Sequence, residues 1–171
     1  MRTGAALAAA LLATTQAMAM ELKSPDIQDG APINKEQVYT RCGGGNVSPA
    51  LSWSGAPTGT KSFAVTAIDI SVRPHQWSHW IIVDLPPATV SLGKGAALPA
   101  PAKALMTDFG DAAYGGPCPP AGSGAHRYVF TVWALPTAAA SIPAKTNAEE
   151  LSAALVKQAL AQASITGTYE R

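Results

Sequence analysis

Tyr128-Val129-Phe130-Thr131-Val132-Trp133-Ala134-Leu135 decides the fold class of this chain. β-Branched and aromatic residues dominate these eight positions and none is charged, so the segment reads as a buried strand. Just upstream stands His126. His126 and Tyr128 are two apart, and on an extended chain they point to the same side. Further upstream lies Tyr114-Gly115-Gly116-Pro117-Cys118-Pro119-Pro120. Its glycine pair gives backbone freedom and bare amides, and its prolines fix φ and remove donors. A rigid loop, a thiol, an imidazole and a phenol thus gather at the mouth of one strand, which suits a small anionic or polar ligand.

Working outward, three further runs read as short strands: Leu51–Trp53, Ser62–Ile68 and His79–Val83. Turn signals separate them, among them Gly43-Gly44-Gly45-Asn46, Ser54-Gly55-Ala56-Pro57 and Pro86-Pro87. Frequent turns between short strands predict a mainly antiparallel β domain. One helix is expected near the end. Thr146-x-x-Glu149 and Asn147-x-x-Glu150 are overlapping capping-box signals. Leu151, Ala154, Leu155 and Ala159 then keep helical spacing, with Gly167 as the stop and Lys157 and Gln158 on the solvated face.

Residues 1–19 read as a cleavable signal peptide. Arg2 precedes an uncharged Ala/Leu run, and Ala17-Met18-Ala19 forms an A-x-A site, so cleavage is expected between Ala19 and Met20. The competing reading is an Ala-rich N-terminal helix; the run is too short to span a membrane. Residues 20–171 then form a single domain with periplasmic or secreted localisation. Without Arg2, 11 basic residues balance the 11 acidic ones, and no basic run exists. Nucleic acid is therefore excluded as a partner. At 47% hydrophobic and 13% charged, the chain is not disordered. Two cysteines in an exported chain favour a Cys42–Cys118 disulfide over a reactive Cys118 thiol near His126.

Asp69 closes one predicted strand and His79 opens the next. If these strands pair, the two residues face each other, and Asp69 orients the His79 ring. His126 and Tyr128 join from the third strand, giving a pocket of one acid, two imidazoles and a phenol. Taken singly, Asp69 also reads as a turn cap, His79 as a satisfied strand histidine and Tyr128 as core. Trp77 and Trp80 read as core or pocket wall, His75 as solvated, and Arg127 as a structural ion-pair residue.

Cys42-Gly43-Gly44-Gly45-Asn46-Val47-Ser48-Pro49-Ala50-Leu51-Ser52-Trp53 resembles a motif of the bacterial phosphatidylethanolamine-binding proteins, also called Raf kinase inhibitor-like proteins. Pro57-x-Gly59-Thr60-Lys61-Ser62-Phe63, Asp108-Phe109-Gly110, the Gly-Gly-Pro-Cys-Pro-Pro loop, His126-Arg127-Tyr128 and Gly167-Thr168-Tyr169 are similar in type and order. The resemblance covers nearly all of residues 20–171. It implies two antiparallel β-sheets with peripheral helices, and a pocket for phosphate or phosphorylated headgroups. It carries the ligand role onto Asp69, His79, Pro119, His126 and Tyr128, with the Gly115-Gly116 loop lining the site and Cys118 beside it. It also allows a homodimer. Two departures stand out. Asp69-Ile70-Ser71-Val72-Arg73-Pro74 replaces the family's Asp-Pro-Asp-x-Pro, losing the second acid and bringing Arg73 near the mouth. Gln158 stands where bacterial relatives often carry a histidine.

The function expected is a binding or regulatory module for a small anionic ligand, without catalytic residues, metal or cofactor. In it His79, His126, the Tyr128 hydroxyl and the loop amides hold the anion. The alternative is a protein-interaction module inhibiting an envelope protease or other enzyme. A hydrolase is disfavoured: no G-x-S-x-G is present, a disulfide would silence Cys118, and a zinc site of His75, His79 and His126 would need the first two on a helix, whereas their three-residue gap sits in a Pro-containing loop.

Overall fold

The computed structural model describes residues 19–143 and 146–171. Apart from Ala19, the expected signal peptide lies outside the described residues. The strands in chain order are β1 (Glu21–Lys23), β2 (Leu51–Ser54), β3 (Ser62–Asp69), β4 (Trp77–Leu85), β5 (Ser91–Leu92), β6 (Lys103–Ala104), β7 (His126–Leu135) and β8 (Ala161–Tyr169). One helix, α1 (Ala148–Gln158), precedes β8, and a short 3-10 turn covers Thr40–Cys42. Two antiparallel sheets result, ordered β1-β2-β5 and β6-β4-β3-β7-β8. All four strands read from the sequence are present, each longer than its predicted run.

Every residue of β3 is buried, as are eight of the nine in β4. The central strands are covered on both faces, which is why their sequences read as near-continuous apolar runs. Alternation divides the side chains between two cores. Phe63, Val65, Ala67, Trp80, Ile82, Phe130 and Val132 pack with Leu22, Leu51, Trp53 and Leu92 of the small sheet. Ala64, Ile81, Val83, Trp133 and Leu135 pack instead with Leu151 and Leu155 of α1. Trp133 Nε1 donates to Thr66 Oγ1 at 3.0 Å, so the polar atoms of this second layer are paired. Leu151 and Leu155 are fully buried, and each stabilises the helix–sheet contact by about 1.5–3 kcal/mol.

Of the two cap signals, the second is used. Asn147 Oδ1 accepts from the Glu150 amide at 2.8 Å, and Glu150 Oε2 accepts from the Asn147 amide at 3.3 Å. The helix does not stop at Gly167. It ends at Gln158, after which the Leu160 amide donates to Ala134 O at 2.8 Å and draws the chain into β8. Gly167 lies inside that strand. A Cβ there would sit 2.4 Å from Ile33 Cγ1, so glycine is required by close packing rather than as a helix stop. Gln158 is more than a solvated surface residue. Its side-chain amide accepts from Ser141 N–H and donates to Ser141 O, tying the preceding loop to the helix.

β3 pairs with both β4 and β7, and the end of this three-strand core carries the site. On the β7 side Asp69 lies opposite Tyr128. On the β4 side the register runs Ala67↔Trp80 and then Ile68↔Ser78, leaving His79 as the extra residue of a β-bulge. An earlier shift, between Phe63 and Val65, had already moved the register by one, so the two together bring Asp69 opposite Trp77 and not His79, which corrects the pairing expected from the sequence. A bulge re-aims its residue away from the regular alternation.

Candidate functional site

A cavity of about 510 Å³ opens at this end of the large sheet. Asp69, His79, Cys118, Pro119, His126 and Tyr128 all line it. Gly116, the remaining residue expected at the site, is buried behind the wall.

The His79 Nδ1–H donates to Gly115 O at 2.6 Å. Nε2 is left as the ring's uncommitted nitrogen and carries a lone pair when the imidazole is neutral. Burial lowers the His79 pKa below its ordinary value; the Gly115 carbonyl and the Asp69 charge oppose this without overcoming it. Phe109 and Tyr128 stack edge-on to the ring, with centroids 5.1 and 5.0 Å away.

Asp69 orients His126, not His79. Oδ2 accepts from His126 Nδ1–H at 2.6 Å, and Oδ1 accepts from the Ser71 amide at 2.8 Å. With Nδ1 committed, His126 Nε2 lies 3.0 Å from Ser123 Oγ. Ser123 Oγ is also 2.7 Å from Pro120 O.

Three expected ligand contacts are already spent or closed off. The Gly115 amide donates to His79 O at 2.8 Å and the Gly116 amide to Asn46 Oδ1 at 2.7 Å, so neither is free to cradle an anion. Asn46 also donates from Nδ2 to Tyr114 O at 3.1 Å, bracing the loop from both sides. The Tyr128 hydroxyl is enclosed and meets no hydrogen-bond geometry with another group among the described residues, so it is not exposed as a donor. Burial first, then the nearby Asp69 charge, pushes the phenol's pKa up, and it stays protonated.

Cys42 and Cys118 form a disulfide with Cα atoms 5.6 Å apart, and neither is a free thiol. The bond ties the 3-10 turn to the pocket loop and brings Tyr39 and Arg41 into the lining. Trp77, Asp108 and Phe109 complete the opposite wall. The Phe109 ring meets Tyr39 at 4.8 Å and Trp77 at 6.0 Å, forming an aromatic rim. Asp108 Oδ2 accepts from Ser78 N–H and Oγ–H at 2.7 and 2.6 Å, which pins the segment under β4.

Tyr39, Arg41 and Asp108 in the lining, and Ser123 beside His126, are the polar residues that the sequence reading did not assign to the site. A signal existed for Arg41: a Cys42–Cys118 bond necessarily carries its neighbours to the Cys118 loop. Ser123 sits in a turn with no local pattern to mark it. Arg73 is exposed and folds back on its own loop, donating to Ile70 O and Val72 O, so it adds no charge to the cavity wall. Arg127 makes no ion pair among the described residues; its side chain is exposed, and its amide donates to Ser71 Oγ. No group of three or more His, Cys, Asp or Glu among the described residues is placed to hold a metal ion.

Known proteins share this architecture. The family model described as phosphatidylethanolamine-binding protein matches residues 23–170. YbcL of Escherichia coli is 37% identical over 166 residues, covering 92% of this chain and 91% of that one. A Mycobacterium tuberculosis chain named as a lipoprotein, LppC, is 37% identical over 161 residues, with 92% and 77% covered. The crystal structure of YbcL, described as a new member of the mammalian PEBP family, superposes with a TM-score of 0.81 at 36% identity, covering 90% of this chain and 99% of that one. On the strength of a match across both sheets and the pocket, this chain belongs to the phosphatidylethanolamine-binding protein family.

Proposed function

We propose that this chain is an exported, non-covalent binding module for a small ligand that joins an anionic group to an apolar or aromatic part. The observation that supports this best is the convergence of Arg41, His79 and His126 on one cavity rimmed by Tyr39, Trp77 and Phe109. Arg41 supplies a permanent positive charge and a planar donor fork for phosphate or carboxylate. His79 offers Nε2, which donates to an anion only after it takes a proton. Asp69 and Asp108 line the same space, so a bare multiply charged anion is less favoured than one bearing an ammonium or hydroxyl group. Phosphoethanolamine carries the phosphate and the ammonium, and so represents the polar half of this ligand. Export is supported by the A-x-A pattern at residues 17–19, by the disulfide and by the lipoprotein name of the mycobacterial relative.

The test is an NMR titration of residues 20–171 with phosphate, phosphoethanolamine and ethanolamine. Saturable shifts are expected at Arg41, His79 and Cys118–Pro120 for the two phosphates. Affinity should be higher at mildly acidic than at mildly basic pH, and lower in Arg41→Ala. Affinity that is flat or rises with pH, or equal shifts from ethanolamine alone, refutes the reading.

A further inference from the structure

Beyond ligand binding, the geometry points to a second capacity: we propose that Ser123 is a nucleophile activated by His126 and Asp69, and that the pocket supports acyl transfer from small carboxylic esters to water. Three side chains from separate places in the chain form one line. Asp69 Oδ2 holds His126 Nδ1–H at 2.6 Å, and His126 Nε2 lies 3.0 Å from Ser123 Oγ. A carboxylate that fixes the tautomer, an imidazole with its far nitrogen on a hydroxyl, and a hydroxyl at hydrogen-bond distance are what a serine nucleophile requires, on whatever fold they occur. The G-x-S-x-G elbow is one way to present such a serine and not a condition for it.

Base and orienter are buried, with Asp69 at 3% and His126 at 8% exposure, while Ser123 is exposed beside them. Gly122 and Gly124 flank it at φ +77° and +80°, with open space where side chains would stand. An ester can therefore approach Oγ from outside. Pro120 and His126, on either side of the serine in contact terms, both line the cavity, so the rest of the ester has a place among Tyr39, Trp77 and Phe109.

Oγ has one proton and two neighbours. When the imidazole is neutral, Nδ1 keeps its hydrogen for Asp69, and Nε2 accepts from Ser123 O–H. When the imidazole is charged, Nε2–H donates to Oγ, and the hydroxyl turns to Pro120 O at 2.7 Å. The first arrangement is the reactive one. In it, Oγ bonds to the ester carbonyl carbon as its proton passes to Nε2, and Asp69 stabilises the resulting imidazolium. The bond from that carbon to the alkoxy oxygen breaks, and the departing alcohol takes the proton from Nε2. Water then adds to the acyl carbon, giving a proton to Nε2. The Oγ–acyl bond breaks, Oγ recovers the proton and a carboxylic acid leaves.

The experiment uses a fluorophosphonate probe on the protein spanning residues 20–171, in mildly alkaline buffer, read by intact mass and peptide mapping. A single adduct on Ser123 is expected. It should be absent in Ser123→Ala and about a hundredfold slower to form in His126→Gln, the loss that follows removal of a general base. Hydrolysis of p-nitrophenyl butyrate should fall by a similar factor in Ser123→Ala, whose exposed turn position leaves folding intact. No adduct on Ser123, or an adduct forming equally fast in His126→Gln, overturns the proposal. Ester turnover unchanged in Ser123→Ala does so as well. Failure of phosphate to bind would sink the ligand reading and leave this one standing.

Discussion

Asp69 accepts two hydrogen bonds that hold different parts of the molecule, one buried and one partly so, and separating them makes a quantitative test. Oδ1 takes the Ser71 amide and Oδ2 takes His126 Nδ1–H. The Asp69 side chain is only 4% exposed, so water cannot replace it easily. Asp69→Ala removes both acceptors and strands an amide and an imidazole N–H. A hydrogen bond to a charged group contributes about 1.5–3 kcal/mol, and breaking a buried pair costs about 3–5 kcal/mol in all. For a domain of this size that lowers Tm by roughly 10 °C. Asp69→Asn keeps the volume and one oxygen. The Ser71 amide can only donate, so the Asn oxygen must turn to it, and the Asn NH2 then faces His126 Nδ1. Two donors cannot face each other, so His126 must move its proton to Nε2. The cost is two charge-assisted bonds exchanged for neutral ones, about 1–2 kcal/mol. Urea denaturation at constant slope measures both losses. Long-range nitrogen–proton spectra of the imidazole read the tautomer. An Asp69→Ala loss under about 1 kcal/mol, or an Asp69→Asn variant that retains Nδ1–H, would refute this account of the carboxylate.

The two other predictions concern pH and the pocket loop. The folded-state pKa of His79 lies below 6.5, so the unfolded chain binds the extra proton first, and stability should fall as pH drops below about 6.5. Glu149, whose pKa is lowered chiefly by the Gln76 amide, contributes in the same direction but only below its ordinary value of 4.5. Urea midpoints measured across pH should therefore show two separable declines. The upper one should vanish in His79→Gln, and its persistence there would assign it elsewhere. Gly116→Ala would place a Cβ 2.0 Å from Gln37 O and 2.7 Å from Tyr39 N, both backbone atoms, and should cost about 3 kcal/mol. Gly122→Ala meets open space at φ +77° and should cost only about 1–2 kcal/mol. Equal losses in urea denaturation would mean that the loop is not packed as described.

β1, β5 and β6, two or three residues each, are too short to show a pattern, whereas β3, β4 and β7 were legible because their apolar runs are long and uninterrupted. β8 was not, because Ala161, Ala163, Ser164 and Gly167 are small and this edge strand is only partly buried. Its pattern was absorbed into the expected helix stop. The residue types at the pocket were legible; their pairing was not. Two register shifts each add a residue to β4, and nothing in its sequence announces them. Together they carry His79 past Asp69, whose carboxylate bonds His126 of β7 instead. Likewise, the Gly115 and Gly116 amides look free in the sequence, and only the positions of His79 O and Asn46 Oδ1 show that they are used.

What the pocket can do follows from what the fold has left unused. Two loop amides, His79 Nδ1, His126 Nδ1 and one oxygen of Asp108 are committed to the wall itself. These bonds make the wall rigid, and they leave the Arg41 guanidinium, His79 Nε2 and the Ser123 hydroxyl with its His126 partner as the groups available to a ligand. The first is charged at every physiological pH, and the second becomes a donor only on protonation. The third acts as a nucleophile only with His126 as its base. Anion capture therefore depends on His79 and acyl transfer on His126. His79→Gln should weaken phosphate binding at mildly acidic pH, and His126→Gln should slow fluorophosphonate labelling of Ser123. Measuring both readouts on both variants separates the two imidazoles. Equal losses in both readouts for either variant would mean that one group governs the pocket, and the division of labour between His79 and His126 would be wrong.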